Sequence, residues 1–489
     1  MLAGDSIWTD CDQRPKSNIV IIIIVMLFHD RTDELTTLRE QHDRDSLSMV
    51  VIYGRRRVGK TELVKKVCEE TDSIYHLATK DAPAVQQRKL LEELAAFDES
   101  RVPRHSDWHD VMEYLGEILC STSPLIAIDE FPYQIESDEA VLGALQTVVD
   151  GIRTQTDGTL ILCGSSIGVM ESDVLGRESP LFGRRSGQID LQPFSFSTAN
   201  EVIEYSFIDS IRTYAVAGGM PMYLMLFDYA QPLADNLLQN HLSKTSILFS
   251  EPEFLLRSEL REPSRYMSIL ESIALGATTP NEMAGHTGID STQLPNYLSR
   301  LQRLRLIERK VPVTAEQQRS KRSLYSIKDP FLRFWFRFVE PNQSGIEQAP
   351  EQVLTNRILP ELDRFVSQTF EDVARECVWE CIRSSSFSGN YGSVGSWWYG
   401  GEEIDIVALD DRTPSVLLGE CKWTTTPVGI DLVDQLTEKA GHVRWKTGAR
   451  DEEYAIFSRA GFEDGVRAQC DDRWHLFDLN DMQAVFEAQ

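Results

Sequence analysis

The stretch Val51–Leu63, VIYGRRRVGKTEL, constrains this chain more than any other. An apolar, β-branched run ends at Gly54. The spacing Gly-x-x-x-x-Gly-Lys-Thr follows, and helical periodicity then covers Glu62 to Glu70. Strand, glycine loop and helix in that order make a phosphate cradle. The glycines let the backbone curl until its N–H groups face a phosphate, and the helix start adds its positive end. Gly54, Arg55, Arg56, Arg57, Val58, Gly59, Lys60 and Thr61 are therefore the expected nucleotide contacts. Lys60 is expected to reach the β- and γ-phosphates, and Thr61 to ligate Mg²⁺. The three arginines lie between the glycines, where side chains can point outward from the cradle. Arg55 or Arg56 is thus expected to pair with acidic residues of a neighbouring domain.

Such a loop needs a sheet behind it. Val50–Tyr53, Leu125–Ile128 and Leu160–Cys163 are short apolar runs ending at polar or glycine residues, and helical stretches such as Gln87–Ala96 separate them. That alternation predicts an α/β unit, a parallel sheet with helices on both faces. In LIAIDEFPY the strand delivers Asp129 and Glu130 to its C-terminal end. Asp129 is expected to hold Mg²⁺ through water, and Glu130 to polarise the attacking water. At the tip of LILCGSS, Ser165 or Ser166 is placed to sense the γ-phosphate; a plain strand-ending turn is the alternative. Gly183-Arg184-Arg185 precedes a further strand. Arg184, with Arg185 second, is the candidate arginine finger towards a neighbouring ATP, weighed against an ordinary surface ion pair.

YGRRRVGKTEL, IDEFPY, the GSS strand, PLFGRR and AGGMPMYL (217–224) together resemble the archaeal P-loop ATPase family, one of the AAA+/STAND-like ATPases. The resemblance implies a P-loop NTPase core at 28–250 that binds and hydrolyses ATP. It also implies a helical lid opened by Gly218, Gly219 and Pro221. Residues 1–27 do not match it. Their apolar run Ile19–Phe28 is too short to span a membrane, so it reads as a strand or a tail, and Met26 is the expected natural start.

Residues 251–328 have a different pattern. An amphipathic helix (RYMSILESIALG), a short helix closed at Gly288, a longer helix and a strand–turn–strand segment follow one another. This is the winged-helix order. Gln293, Asn296, Arg300 and Arg303 are candidate DNA readers, and Lys310, Arg319, Lys321 and Arg322 candidate phosphate contacts of the wing. The alternative is a winged helix used only for packing on the ATPase.

Residues 329–489 open with the aromatic cluster FLRFWFRFVEPN and read as an α/β or α+β domain. Asp405 lies in the strand-like GGEEIDIVALD, and Glu420 and Lys422 in LLGECKW. Glu-x-Lys in a strand puts both side chains on one face. Asp405 and Glu420 could hold Mg²⁺, with Lys422 orienting a water for phosphodiester cleavage. Glu371, on the preceding helix, could complete the metal site, with Gln435 as an auxiliary polar residue. This pattern resembles the PD-(D/E)xK nuclease superfamily in its archaeal Holliday-junction-resolvase-like branch, and implies a restriction-endonuclease-like fold. It departs from the motif in having Ile404, not proline, before the aspartate.

Net charge of −27, with 13 lysines and 36 arginines, fits a salt-loving cytoplasm. It does not exclude DNA, because at molar salt the Debye length is about 3 Å. Scattered cysteines without a C-x-x-C pair read as reduced core residues. The expected ligands are ATP and Mg²⁺, or Mn²⁺ at the C-terminal site. The expected partners are DNA, a protein partner or further copies of the chain, and no membrane. An ATPase that works on or with DNA, driving a metal-dependent nuclease domain, is the leading expectation. A STAND-like switch whose later domains only bind DNA or protein is the alternative.

Overall fold

The computed structural model describes residues 29, 31–105, 107–315 and 323–488. The expectations for residues 1–27 and for Arg319, Lys321 and Arg322 lie outside the described residues. Five parallel strands form the first sheet: β1 (Ser48–Tyr53), β2 (Ser73–Leu77), β3 (Leu125–Asp129), β4 (Thr159–Gly164) and β5 (Gly187–Asp190). Their spatial order is β2-β3-β4-β1-β5. All of β1, β3 and β4 is buried, which is why those strands read as continuous apolar runs. Helices α1 (Thr32–His42), α2 (Lys60–Glu69), α3 (Pro83–Phe97), α4 (Trp108–Thr122) and α5 (Ala140–Ile152) accompany the sheet. In α2 the buried residues Leu63, Val64 and Val67 follow the helical period, so the helix that starts in the phosphate loop is pinned to the sheet. This is the parallel sheet of a P-loop NTPase core.

Helix α6 (Phe207–Ala217) and α7 (Ile247–Glu259) follow. Three helices come next, α8 (Pro263–Ala274), α9 (Pro280–Thr287) and α10 (Leu294–Arg303), and then the antiparallel pair β6 (Ile307–Lys310) and β7 (Leu324–Ile327). A reciprocal Thr279–Glu282 capping box starts α9, and Gly288, at φ +67°, ends it. Leu294, Leu298 and Leu301 form the buried stripe of α10.

The last part is built on α11 (Leu359–Arg383) and a mixed sheet of β8 (Ser393–Tyr399), β9 (Glu402–Asp410), β10 (Ser415–Lys422), β11 (Asp451–Ser458) and β12 (Trp474–Phe477). β8, β9 and β10 pair antiparallel, whereas β10, β11 and β12 pair parallel. Helices α12 (Ile430–Ala440) and α13 (Leu479–Glu487) complete it. One contiguous apolar core runs from Leu35 to Phe486 through all of these parts, and a second lies between the mixed sheet and α12. The aromatic run after Asp329 is core: Phe331, Phe334, Trp335, Phe336 and Phe338 are buried, and Phe331 packs on Tyr223. Phe486 of α13 returns to the first part, edge-on to Phe196 at 5.4 Å. No helix among the described residues is long and apolar enough to cross a membrane.

Candidate functional site

The phosphate loop leaves β1 at Gly54, whose φ is +155° and where a Cβ would stand 2.4 Å from the Leu191 carbonyl oxygen. Only glycine fits there. Gly59, at φ +98°, then turns the chain into α2. Lys60 is 5 % exposed, and its Nζ donates to the carbonyls of Gly54 and Arg55 at 2.9 and 2.8 Å. Burial lowers its pKa, and Cys163, Glu130 and Asp129 only partly oppose that. An ammonium buried and bonded, among the described residues, only to loop carbonyls suits a phosphate, which would offset the burial. Thr61 Oγ1 donates to Asp129 Oδ2 at 2.7 Å, so the hydroxyl and carboxylate that could share a Mg²⁺ are already in contact. The chain's own groups thus fit a nucleoside triphosphate with Mg²⁺.

β4 lies between β1 and β3, and this brings its tip beside Glu130. Ser165 donates to Glu130 Oε2 from its hydroxyl at 2.8 Å and its N–H at 3.3 Å. Glu130 adopts φ +54°, a left-handed conformation that costs a non-glycine residue roughly 1–2 kcal/mol and turns its carboxylate towards that tip. Ser166 instead meets Glu259, the last residue of α7, at 3.5 Å. Glu259's carboxyl is pushed up by burial, against the pull of Arg56 and Lys60.

Each loop arginine has its own partner. Arg55 forms an ion pair with Asp329, both nearly buried. Arg56 donates to the Tyr133 hydroxyl at 3.1 Å. Arg57 pairs with Glu251 of α7 at 2.7 Å, and its Nη1 stands 3.4 Å from the Met222 sulphur. Arg55 therefore meets an acidic partner beyond residue 250, as expected, Arg56 does not, and Arg57 supplies the second such link. Val58 is fully buried, and its carbonyl accepts from Arg31 at 3.3 Å. Sequence reasoning missed Arg31, Glu251, Glu259 and Tyr75, whose hydroxyl donates to Asp129 Oδ2 at 2.9 Å.

Arg184 is held in a fork by Asp150 of α5 at 2.7 and 2.6 Å and also donates to the Pro180 and Phe182 carbonyls. A finger towards another copy would have to release Asp150. Arg185 is half-buried. Arg300 and Arg303 line a cleft of ≈ 730 Å³ with Ser166, Arg257, Glu259 and Arg261. These two expected DNA readers thus face the first part, because Arg305 clamps the end of α10 to Asp190 at the tip of β5. Gln293 and Asn296, at the other end of the helix, are exposed.

A second cluster forms where β9, β10 and α11 meet. Asp405 Oδ2 accepts from the Cys421 N–H at 2.8 Å. Lys422 Nζ donates to Glu420 Oε2 at 2.9 Å, and Lys439 of α12 donates to Glu420 Oε1 at 2.7 Å. Glu371 is an electrostatic neighbour of Asp405. Burial first, and Asp405 second, push the Glu371 carboxyl up to about 7; burial, then Glu420, push Asp405 up to about 6. Burial works against the Lys422 charge, but Glu420 holds its pKa above the usual value. No group of three or more histidines, cysteines or acids among the described residues is drawn up as a metal site. Glu371 and Asp405, and Asp405 and Glu420, are electrostatic neighbours, but both Glu420 oxygens are taken by Lys422 and Lys439. Gln435 is exposed, and Lys439, one turn on, takes the place expected for it.

A testable consequence concerns pH. A carboxyl with a raised native pKa binds its proton more tightly when folded, so its contribution to stability falls as pH rises from the unfolded value near 4.5 through about 7. Glu371→Gln is expected to match wild type at pH 5 and to be more stable at pH 8. The gain is on the order of 1–2 kcal/mol, after discounting for a half-buried side chain. Urea unfolding at both pH values measures it; equal stability at pH 8 would show that Glu371 carries no excess charge cost.

Two family models match the chain. One is described as an ATPase domain predominantly from Archaea, over residues 28–227, and the other as archaeal and bacterial proteins of unknown function, over residues 335–440. An uncharacterized protein of Methanocaldococcus jannaschii, MJECL04, is 34% identical over 399 residues, 81% of this chain and 88% of that one. Among solved structures, the Walker-type ATPase PABY2304 of Pyrococcus abyssi is similar at a TM-score of 0.48, with 20% identity over 63% of this chain and 96% of that one. The ORC2 protein of Aeropyrum pernix gives 0.41, with 17% identity over 65% and 95%. The chain belongs to the same family as the M. jannaschii protein, archaeal ATPases in which a P-loop domain is followed by a C-terminal domain of unknown function.

Proposed function

We propose that the chain is an ATP-hydrolysing protein that acts on DNA. In this reading 28–250 is the ATPase with its lid, 251–328 a winged helix, and 329–489 a PD-(D/E)xK nuclease-like domain. Lys60 and Thr61 bind the triphosphate with Mg²⁺, Asp129 helps to hold the cation, and Glu130 polarises the water. The observation that carries the DNA half is the meeting of Glu371, Asp405, Glu420 and Lys422, from a helix and two strands, where β9 and β10 are mostly buried. Buried charge is costly, and neighbouring carboxyls whose pKa values are raised by burial and by each other are candidates for a functional site. A divalent cation there would supply charge at the scissile phosphate and its water. Lys422 would orient that water, and Lys439 would balance Glu420 when the cation is absent.

The test uses full-length protein, Mg²⁺ or Mn²⁺, and branched, linear and single-stranded DNA at high salt. Wild type is expected to cut at least one of these, and Asp405→Ala to cut none. Absence of cutting by wild type removes the nuclease. A second reading would then stand: a STAND-like switch whose later domains only bind DNA or protein. The links Arg55–Asp329 and Arg57–Glu251 favour it, because they join the phosphate loop to residues outside the ATPase part.

A further inference from the structure

The β6–β7 hairpin, α8 and the first half of α11 enclose a groove of ≈ 360 Å³. Arg333, Arg337 and Arg364 line it with Tyr325, Ser367 and Gln368; among the described residues no aspartate or glutamate lines it, though Glu308, Glu361 and Asp372 contact lining side chains from outside. In a chain of net charge −27, three arginines lining one groove are a local concentration of positive charge. Arg337 is the one exposed residue in the run from Phe331 to Val339, and it sits in the π-helical turn Trp335–Val339. Such turns are concentrated at functional sites. Arg364 has an 86% exposed side chain, and its one ion-pair contact among the described residues, with Glu361, is 4.0 Å long. Arg333 is buried and bonded to Thr369 and Asp372, yet its Nε has no acceptor among the described residues.

The helix gives this groove a direction. Arg364, Gln368, Glu371 and Arg375 are spaced i, i+4, i+7 and i+11 on α11 and therefore share one face. Arg364 and Glu371 are about 10 Å apart along the axis. Arg375 reaches on to the Asp405 carbonyl at 3.3 Å, and Lys310 of the hairpin acts on both Glu371 and Asp372. Arg364, Gln368 and Arg375 thus mark a path along α11 from the groove to the carboxylate cluster, with Asp372 pairing both Arg333 and Arg375 beside it.

We propose that this groove is the track for the sugar-phosphate backbone of duplex DNA, and that α11 leads the backbone from Arg337 and Arg364 to Asp405, Glu420 and Lys422. The proposal rests on the reading that the C-terminal part acts on DNA. Arginines hold phosphate oxygens without reading bases, so the track is sequence-independent and its affinity depends on salt.

Full-length protein titrated with a fluorescent duplex, between about 50 and 200 mM salt, tests it. Arg337→Ala/Arg364→Ala is expected to lose at least about tenfold in affinity and to reduce the slope of log affinity against log salt by about 2, one unit per lost phosphate contact. Arg337→Lys/Arg364→Lys is expected to keep the slope. ATP turnover reports that the variants are folded, and if the alanine pair is not, Arg337→Gln/Arg364→Gln carries the same expectation. Wild-type affinity and slope in the neutral variants overturn the track and leave the DNA reading intact. Failure of wild type to bind the duplex overturns both. Displacement of the duplex by inorganic phosphate at equal phosphate concentration would mark a small-anion site and also overturn the track.

Discussion

Glu130→Gln is expected to lower ATP turnover at least about a hundredfold with nucleotide still bound, whereas Lys60→Ala is expected to lose binding itself. The two residues differ in what they touch. Lys60 is buried inside the loop and, among the described residues, donates only to loop carbonyls, so a phosphate entering the cradle meets its ammonium directly. Glu130 stands outside the loop, turned by its left-handed backbone to the tip of β4, where Ser165 holds one carboxylate oxygen. Glutamine keeps the length of the side chain and the Ser165 contact. It removes the negative charge needed to polarise a water, and general-base removal costs roughly 10²–10⁴ in rate. Phosphate release and a fluorescent-nucleotide titration on the same preparations separate the two effects. Turnover at the wild-type rate in Glu130→Gln would move the role to another carboxylate, of which Glu259, bonded to Ser166 at the same tip, is a candidate. Retained binding in Lys60→Ala would overturn the site.

How far these sites could be read from residues alone depended on distance along the chain. β1, β3 and β4 are central strands, buried along their whole length, and each appeared as an apolar run with a polar tip. The cradle, Asp129 and Glu130 were legible for that reason: local sequence dictates strand, tip and helix start. β2 was not legible. It is an edge strand, SIYHL, whose residues alternate between buried and half-exposed, and so its Tyr75 and the bond to Asp129 went unseen. Long-range charge pairs were legible only as a type. The glycine spacing indicates that loop arginines can point outward from the cradle; nothing local shows that Arg57 meets Glu251 or that Arg55 meets a residue 274 positions away. Periodicity marked α10 as amphipathic. It could not show that Arg305 would anchor the helix end to Asp190 and turn Arg300 and Arg303 towards the ATPase part. In the C-terminal cluster, Glu-x-Lys on one strand was sound, because strand alternation is local. Lys439 enters from a helix packed over the sheet, and only tertiary contact brings it to Glu420.

Asp329→Ala is expected to cost roughly 3–5 kcal/mol of stability, the range for breaking one side of a buried ion pair. Arg55 and Asp329 are 7% and 8% exposed. Burial works against the Arg55 charge, and Asp329 outweighs it, holding the guanidinium pKa above its usual value. Arg55 Nε already lacks an acceptor among the described residues, so loss of the carboxylate would strand the whole group. Asp329 also accepts from the Leu332 N–H at 3.2 Å, capping the short helix Pro330–Phe334, and that contact adds about 1 kcal/mol. Replacing both partners removes the stranded charge, so Arg55→Met/Asp329→Leu is expected to regain most of the loss in urea unfolding. Nucleotide affinity distinguishes a structural pair from a coupling one. The Arg55 carbonyl accepts from Lys60 Nζ at 2.8 Å, so the side chain that grips Asp329 and the backbone that positions the phosphate-binding lysine belong to one residue. If the pair transmits nucleotide state to the chain beyond residue 328, the double variant regains stability but not wild-type affinity for ATP over ADP. If stability and affinity recover together, Arg55 is only a buried ion-pair partner. A single Asp329→Ala variant with wild-type stability and wild-type affinity for ATP over ADP would show that neither role exists.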